Sequence, residues 1–114
     1  MLEKKLRIKR SDFDRIYKKG RYINADVFYI KFFPNRRDFS QFAVTVSTKI
    51  SKSAVARNWI RRNIYDAVKA NLVYLPKGHF IIVSIKKMID KPHKDEKIRI
   101  LLEALKKINL WQKN

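Results

Sequence analysis

The sequence predicts one α+β domain over residues 1–114, its elements running helix, two or three strands, helix, strand, helix. Two observations predict it. Apolar residues alternate with period two in some short segments and recur at helical spacing in others. The two glycines and three prolines (Gly20, Pro34, Pro76, Gly78 and Pro92) all fall between those segments. There is no repeat, low-complexity tract or internal linker, and a chain of 114 residues can bury roughly two-thirds of its unfolded surface.

SDFDRIYKKG, residues 11–20, reads as a short helix. Ser11 is placed to cap it, Asp12 and Asp14 suit the positive end of its dipole, and Gly20 can close it. A short strand around Tyr22 and Ile23 fits next. In VFYIKFF, residues 27–33, Phe28, Ile30 and Phe32 alternate with Tyr29 and Lys31, and Pro34 ends the run. Strand character returns in FAVTVS (42–47) and HFIIVSI (79–85). Between them the pattern predicts a long helix from about Ser53 to Leu72, with Ala56, Ile60, Ile64 and Ala67 inward. A last helix, near residues 95–108, sets Ile98, Leu101, Leu102, Leu105 and Ile108 on one stripe.

The charge points to a partner. The chain carries 28 Lys and Arg against 10 Asp and Glu, a formal +18. A hydrophobic fraction of 46% with seven Phe excludes a disordered basic tail, so this is a folded core with a basic exterior. Such a surface suits a polyanion, either nucleic acid or an anionic membrane. The longest clean apolar run, FIIV at 80–83, is far short of the roughly 20 residues a bilayer span needs. No apolar signal region follows the basic start MLEKKLRIKR. The zero cysteine count excludes disulfides and thiolate metal sites and agrees with a reducing compartment, so the expected location is cytoplasmic.

Positive charge is densest in AVARNWIRRN, residues 54–63, and no acidic residue occurs from Phe39 to Tyr65. On a helix, Arg57, Asn58, Arg61, Arg62, Tyr65 and Lys69 share one arc, roughly 60° to 200° round from Ile60. Like charges four residues apart cost an isolated helix a few tenths of a kcal/mol. An anionic partner reverses that cost. Guanidinium groups match phosphate oxygens as forks and stack on bases, and Asn58 adds a hydrogen-bonding head. Trp59 falls on the flank of the helix, where both packing and contact are open to it.

Aromatic residues form a second group. Phe13 and Tyr17 share a face of the first helix, and Tyr29 and Lys31 share the strand face opposite Phe28, Ile30 and Phe32. An open face of this kind offers a basic platform on which unpaired bases stack, each stack being worth roughly 1–3 kcal/mol. Signs of protein chemistry are missing. The ten acids are scattered, His79 and His93 stand far apart in sequence, and there is no glycine-rich phosphate loop or nucleophile elbow. No metal or cofactor site is expected in the protein itself, and Asp66 reads as a local ion partner.

VSTKISKSAVARNWIRRNIYDAV, residues 46–68, together with RIKRSDFDRIYKKG, residues 7–20, resembles the protein subunit of bacterial ribonuclease P. The resemblance runs through nearly the whole chain. It implies an αβββαβα two-layer sandwich with a left-handed βαβ crossover through the central helix. It also implies that a catalytic RNA carries out Mg²⁺-dependent removal of the 5′ leader from precursor tRNA. The protein, a monomer when alone, would bind that RNA and grip the leader in a cleft between the central helix and the sheet. By position, Arg57, Asn58, Arg61, Arg62, Lys49, Lys52, Tyr65 and Lys69 would face RNA, and Phe13, Tyr17, Tyr29 and Lys31 would line the leader cleft. Trp59 stands where the family often has a basic residue, Tyr65 where it usually has arginine, and Thr48 where the first lysine of a Ser-Lys-Lys element is found. A stacking role for Tyr65 is the corresponding expectation. The alternatives are a structural RNA-binding protein of ribosomal type and a DNA-binding domain with its arginine helix in a groove. The second lacks the short companion helix that such a domain places before its recognition helix.

Overall fold

Strand alternation gives the sheet two unlike faces, and the helices are distributed accordingly. The computed structural model describes residues 2–109. Its elements are helix α1 (Arg10–Lys19), strands β1 (Arg21–Ala25), β2 (Phe28–Pro34) and β3 (Gln41–Thr45), helix α2 (Ala54–Ala70), strand β4 (His79–Ile85) and helix α3 (Lys94–Lys106). The αβββαβα order is the one expected.

The sheet order is β1-β2-β4-β3, with β4 antiparallel to β2 and parallel to β3. β4 is therefore internal and covered on both faces, which is why its sequence is a nearly unbroken apolar run. Towards α2 and α3 the sheet sends Phe28, Ile30, Phe32, Phe42, Val44, Ile81 and Val83, which meet Ile60, Ile64, Val68, Leu101 and Leu105 in the main core. On the other face Phe80 and Ile82 meet Ile16 of α1 in a smaller cluster, with Ile8, Phe13, Phe33 and Ala43 against it. The sheet with α2 and α3 forms the two principal layers, and α1 lies across part of the outer face.

Phe42 fixes the hand of the β3–α2–β4 connection. Its side chain enters the α2 core, while its carbonyl turns away from β4 and accepts from the Ile8 N–H at 2.9 Å. Seen with the strand pointing up and this side chain towards the viewer, an L-residue has its carbonyl on the right, so β4 lies on the left. A path forward through α2 and back to a strand on the left is a left-handed crossover, against the general right-handed preference.

Several boundaries differ from expectation. Ser11 does not cap α1: the helix starts at Arg10 with Lys9 at the N-cap, and no side chain caps it. Residues 7 and 8 pair along the outer edge of β3 through the Arg7–Phe42 bridge, and α1 begins as soon as the chain leaves that edge. Asp12 remains in the first turn, where it pairs with Arg15 at 3.2 Å, but Asp14 lies beyond it. Gly20 closes α1 in extended conformation (φ −71°). Glycine suits it because a Cβ there would stand 2.7 Å from the Ile16 carbonyl oxygen and 3.0 Å from that of Phe32. Val27 falls in the β1–β2 turn beside Asp26, whose φ of 55° is a conformation that Asp tolerates better than most residues. On α2 the buried stripe is Ile60, Ile64 and Val68, while Ala56 and Ala67 are half-buried.

Candidate nucleic-acid interface

Helix α2 begins where Ser53 leaves a bend, its hydroxyl accepting from the Ala56 N–H at 3.1 Å. The preceding loop is closed by the Ser47 carbonyl, which accepts from the N–H groups of Ile50 and Ser51. Arg57 clamps this loop by donating from Nη1 to the Ser51 carbonyl at 2.7 Å. One turn on, Arg61 donates to Asn58 Oδ1, which leaves the Asn58 amide N–H₂ facing outward. Asn58, Arg62 and Lys69 are exposed on the helix, and Lys49 and Lys52 are exposed on the loop before it. Among the described residues the ion pairs join Asp12 to Arg15, Asp90 to His93, Asp95 to Lys94, Asp26 to Lys97 and Glu103 to Lys106. None of them takes up Arg57, Arg61 or Arg62. Their guanidinium groups are therefore not neutralised by these acids and can pair with an outside anion.

Tyr65, expected to stack, has a second engagement within the fold. It packs against the main core, and its hydroxyl accepts from the Val44 N–H at 3.1 Å. Val44, two residues along from Phe42, presents that N–H on the edge of β3 away from β4. The phenol therefore ties α2 to an otherwise unpaired strand edge. Its ring still borders a hollow of about 490 Å³ lined by Asn58, Arg61, Arg62 and Asp66. Trp59, open to either role, is half-buried against the core by one side and lines a separate groove by another.

The aromatic group assembles on the opposite face of the sheet. Phe13 and Tyr17 lie with ring centroids 5.6 Å apart. Lys31 places its ammonium 5.1 Å from the centre of the Tyr17 ring and donates to the Tyr17 carbonyl, which pins the strand platform to α1. Tyr29 stacks on Tyr22 at 5.3 Å with planes 21° apart. Tyr17 and Tyr22 are 39% and 58% exposed, so the row presents ring faces to solvent. The floor beyond is polar: Thr45 and Ser84 hydroxyls meet at 2.9 Å, and Lys86 donates to Asn24 Oδ1 at 3.1 Å. Burial raises the Tyr29 phenol above its ordinary pKa, with neighbouring Tyr17 and Tyr22 adding to the effect. Its proton is therefore retained well above neutral pH, as a hydrogen-bond donor needs.

Two corrections follow from this geometry. The residues expected to line the leader cleft stand on α1 and on the sheet face away from the central helix, not between the central helix and the sheet. Alternation along β2 decides this, because Phe28, Ile30 and Phe32 face α2 and so Tyr29 and Lys31 must face away. Tyr22 is a member that the sequence did not single out. Its signal was the hairpin register: with a two-residue turn at Asp26 and Val27, Asn24 pairs with Tyr29 and Tyr22 becomes its diagonal neighbour.

His79 begins β4, buried, and His93 lies past the end of that strand in contact with Asp90 at 2.6 Å. Among the described residues no three of His, Cys, Asp and Glu gather as metal ligands. No described helix is long and apolar enough to cross a membrane.

Comparison with known proteins agrees with this description. The sequence pattern of the family "Ribonuclease P" matches residues 2–109. The ribonuclease P protein component of Petrotoga mobilis is 32% identical over 92 residues, covering 81% of this chain and 76% of that protein. The structure of the RNase P protein from Thermotoga maritima superposes with a TM-score of 0.76 at 28% identity, over 90% of this chain and 96% of that one. The Staphylococcus aureus RNase P protein superposes with a TM-score of 0.71 at 33% identity, over 91% and 94% of the two chains.

Proposed function

The chain belongs to the bacterial ribonuclease P protein family, and from that premise we propose that it seats the single-stranded 5′ leader of precursor tRNA in the α1–sheet cleft while α2 rests on the catalytic RNA. The observation that carries this reading is the row Phe13, Tyr17, Lys31, Tyr29 and Tyr22, a strip of ring faces with a cation beside it. Bases stack on such rings with little regard to sequence. A double helix keeps its bases inside the stack and cannot use them. The partner that fits is an unpaired strand.

The protein's share of the work is binding and positioning. The cleft holds the leader, and Arg57, Asn58, Arg61, Arg62, Lys69, Lys49 and Lys52 neutralise phosphates where the catalytic RNA and its substrate approach each other. The Mg²⁺ that hydrolysis needs is assigned to the catalytic RNA, and no step is assigned to a protein group. The protein alone is a monomer and works in the cytoplasm.

Single-turnover cleavage of a precursor tRNA at low Mg²⁺ tests the reading, using a bacterial ribonuclease P RNA with and without this chain. The expected result is cleavage at the mature 5′ end that requires both components and weakens when the leader is shortened. Tight RNA binding with no gain in cleavage would replace this reading with the ribosomal-type one.

A further inference from the structure

Between the N-terminal half of α2 and residues 88–91 runs a groove of about 580 Å³ that shares Asn58 and Arg62 with the arginine arc and lies apart from the aromatic row. Trp59, Val55, Ala56, Met88 and Ile89 give it an apolar floor. Val55 is 80% exposed at its mouth, an apolar cost that the fold itself does not require. Arg62, Lys91 and Asn58 stand on its rim. Arg62 and Lys91 make no side-chain hydrogen bond or ion pair among the described residues, the Asn58 amide N–H₂ is unengaged, and the Trp59 indole N–H has no acceptor there. The one acid on the rim, Asp90, is occupied by His93 at 2.6 Å.

We propose that this groove receives an unpaired base of the catalytic RNA, stacked on Trp59, with the adjoining phosphates on Arg62 and Lys91. An apolar floor framed by unengaged donors and two cations suits a nucleotide: the ring system takes the floor, and the phosphate oxygens and base carbonyls take the donors. A polypeptide occupant also brings carbonyl acceptors, but only a nucleic acid sets a formal anion beside every ring, as the apolar floor and its two cations require. The sheet separates the groove from the leader cleft, so the strand it holds is the catalytic RNA and not the leader. The inference rests on the proposed function and adds a base-specific contact to a helix otherwise read as binding phosphates.

Emission from Trp59 gives the test. The full chain carrying Trp111→Phe keeps Trp59 as its only tryptophan. We expect its fluorescence to be quenched on saturation with a bacterial ribonuclease P RNA and unchanged by a leader oligonucleotide alone. We also expect Trp59→Leu to weaken binding of that RNA about tenfold, as the loss of one stacked base implies, with the salt slope kept. Unchanged emission while anisotropy reports full binding would overturn the inference and leave the proposed function standing. Quenching by the leader oligonucleotide, or by raising the protein concentration without RNA, would reassign the groove to the substrate or to a second copy and overturn it too. Absence of any binding to the catalytic RNA would overturn both readings. Because the fluorescence measurement retains Trp59, it decides the matter even if Trp59→Leu unfolds the chain.

Discussion

Arginines that look alike in sequence do different work here. Arg57 spends one donor on the Ser51 carbonyl and so shapes the loop before α2, whereas Arg62 is exposed and makes no side-chain hydrogen bond or ion pair among the described residues. Arg62→Ala should lower the salt slope of RNA binding by about 0.7–0.9, the value of one phosphate contact, and leave urea stability within about 0.5 kcal/mol. Arg57→Ala should lower the slope and also the stability. Salt titrations and urea melts of the two variants check this, and equal stabilities would remove the loop-clamping role. Tyr65→Phe separates packing from RNA contact. It deletes only the acceptor for the Val44 N–H, so it should cost about 0.5–1.5 kcal/mol of stability and leave RNA affinity unchanged. A loss of affinity without a loss of stability would assign the Tyr65 hydroxyl to RNA and not to Val44. Sequence reasoning found the basic arc because periodicity and charge reveal which residues share a helix face. It did not find the tie from Tyr65 to Val44, because a phenol serves bases and strand edges equally well and only the position of the Val44 N–H reveals the second use.

At the scale of elements, the β1–β2 turn and α3 are joined by Asp26 and Lys97 at 2.7 Å. The hydrogen bond from Lys97 is the main cause holding the Asp26 carboxyl below its ordinary 3.8, and the same bond holds the Lys97 ammonium above its ordinary 10.5. A lowered acid contributes stability that is complete above 3.8 and is lost as pH falls through its folded value. A raised base contributes stability that is complete below 10.5 and is lost as pH climbs through its folded value. Asp26→Asn keeps a residue tolerant of positive φ and removes the charge. The difference in urea midpoint between wild type and this variant should therefore be steady from about pH 5 to 9 and narrow below the ordinary carboxyl value. A difference that persisted in acid would assign the effect to turn geometry instead. Elements with strong periodicity were legible from sequence, β4 to the residue. The start of α1 was not, because the pairing of residues 7 and 8 with β3, a contact distant in sequence, set it ahead of the local serine. The side of the sheet taken by the aromatic row was hidden for the same kind of reason: it depends on which face the crossover helix covers.

Taken whole, the molecule puts the aromatic row and the arginine arc on opposite sides of one sheet. Residues on such separate faces, sharing no partners, should contribute independently. In the reconstituted holoenzyme, Tyr29→Leu, Arg62→Ala and the double variant should weaken precursor tRNA binding additively, with coupling under about 0.5 kcal/mol. A larger coupling would mean that the RNAs meet around the sheet edge. The sheet order carries a further consequence, for synthesis. β4 is the last strand made, yet it lies between β2 and β3 and is the only element that pairs with both. Until it leaves the ribosome, the β1–β2 hairpin and β3 have nothing to join them. A nascent chain ending before His79 is therefore two separate β fragments, and the sheet must assemble late, in one step, once most of the polypeptide has been translated.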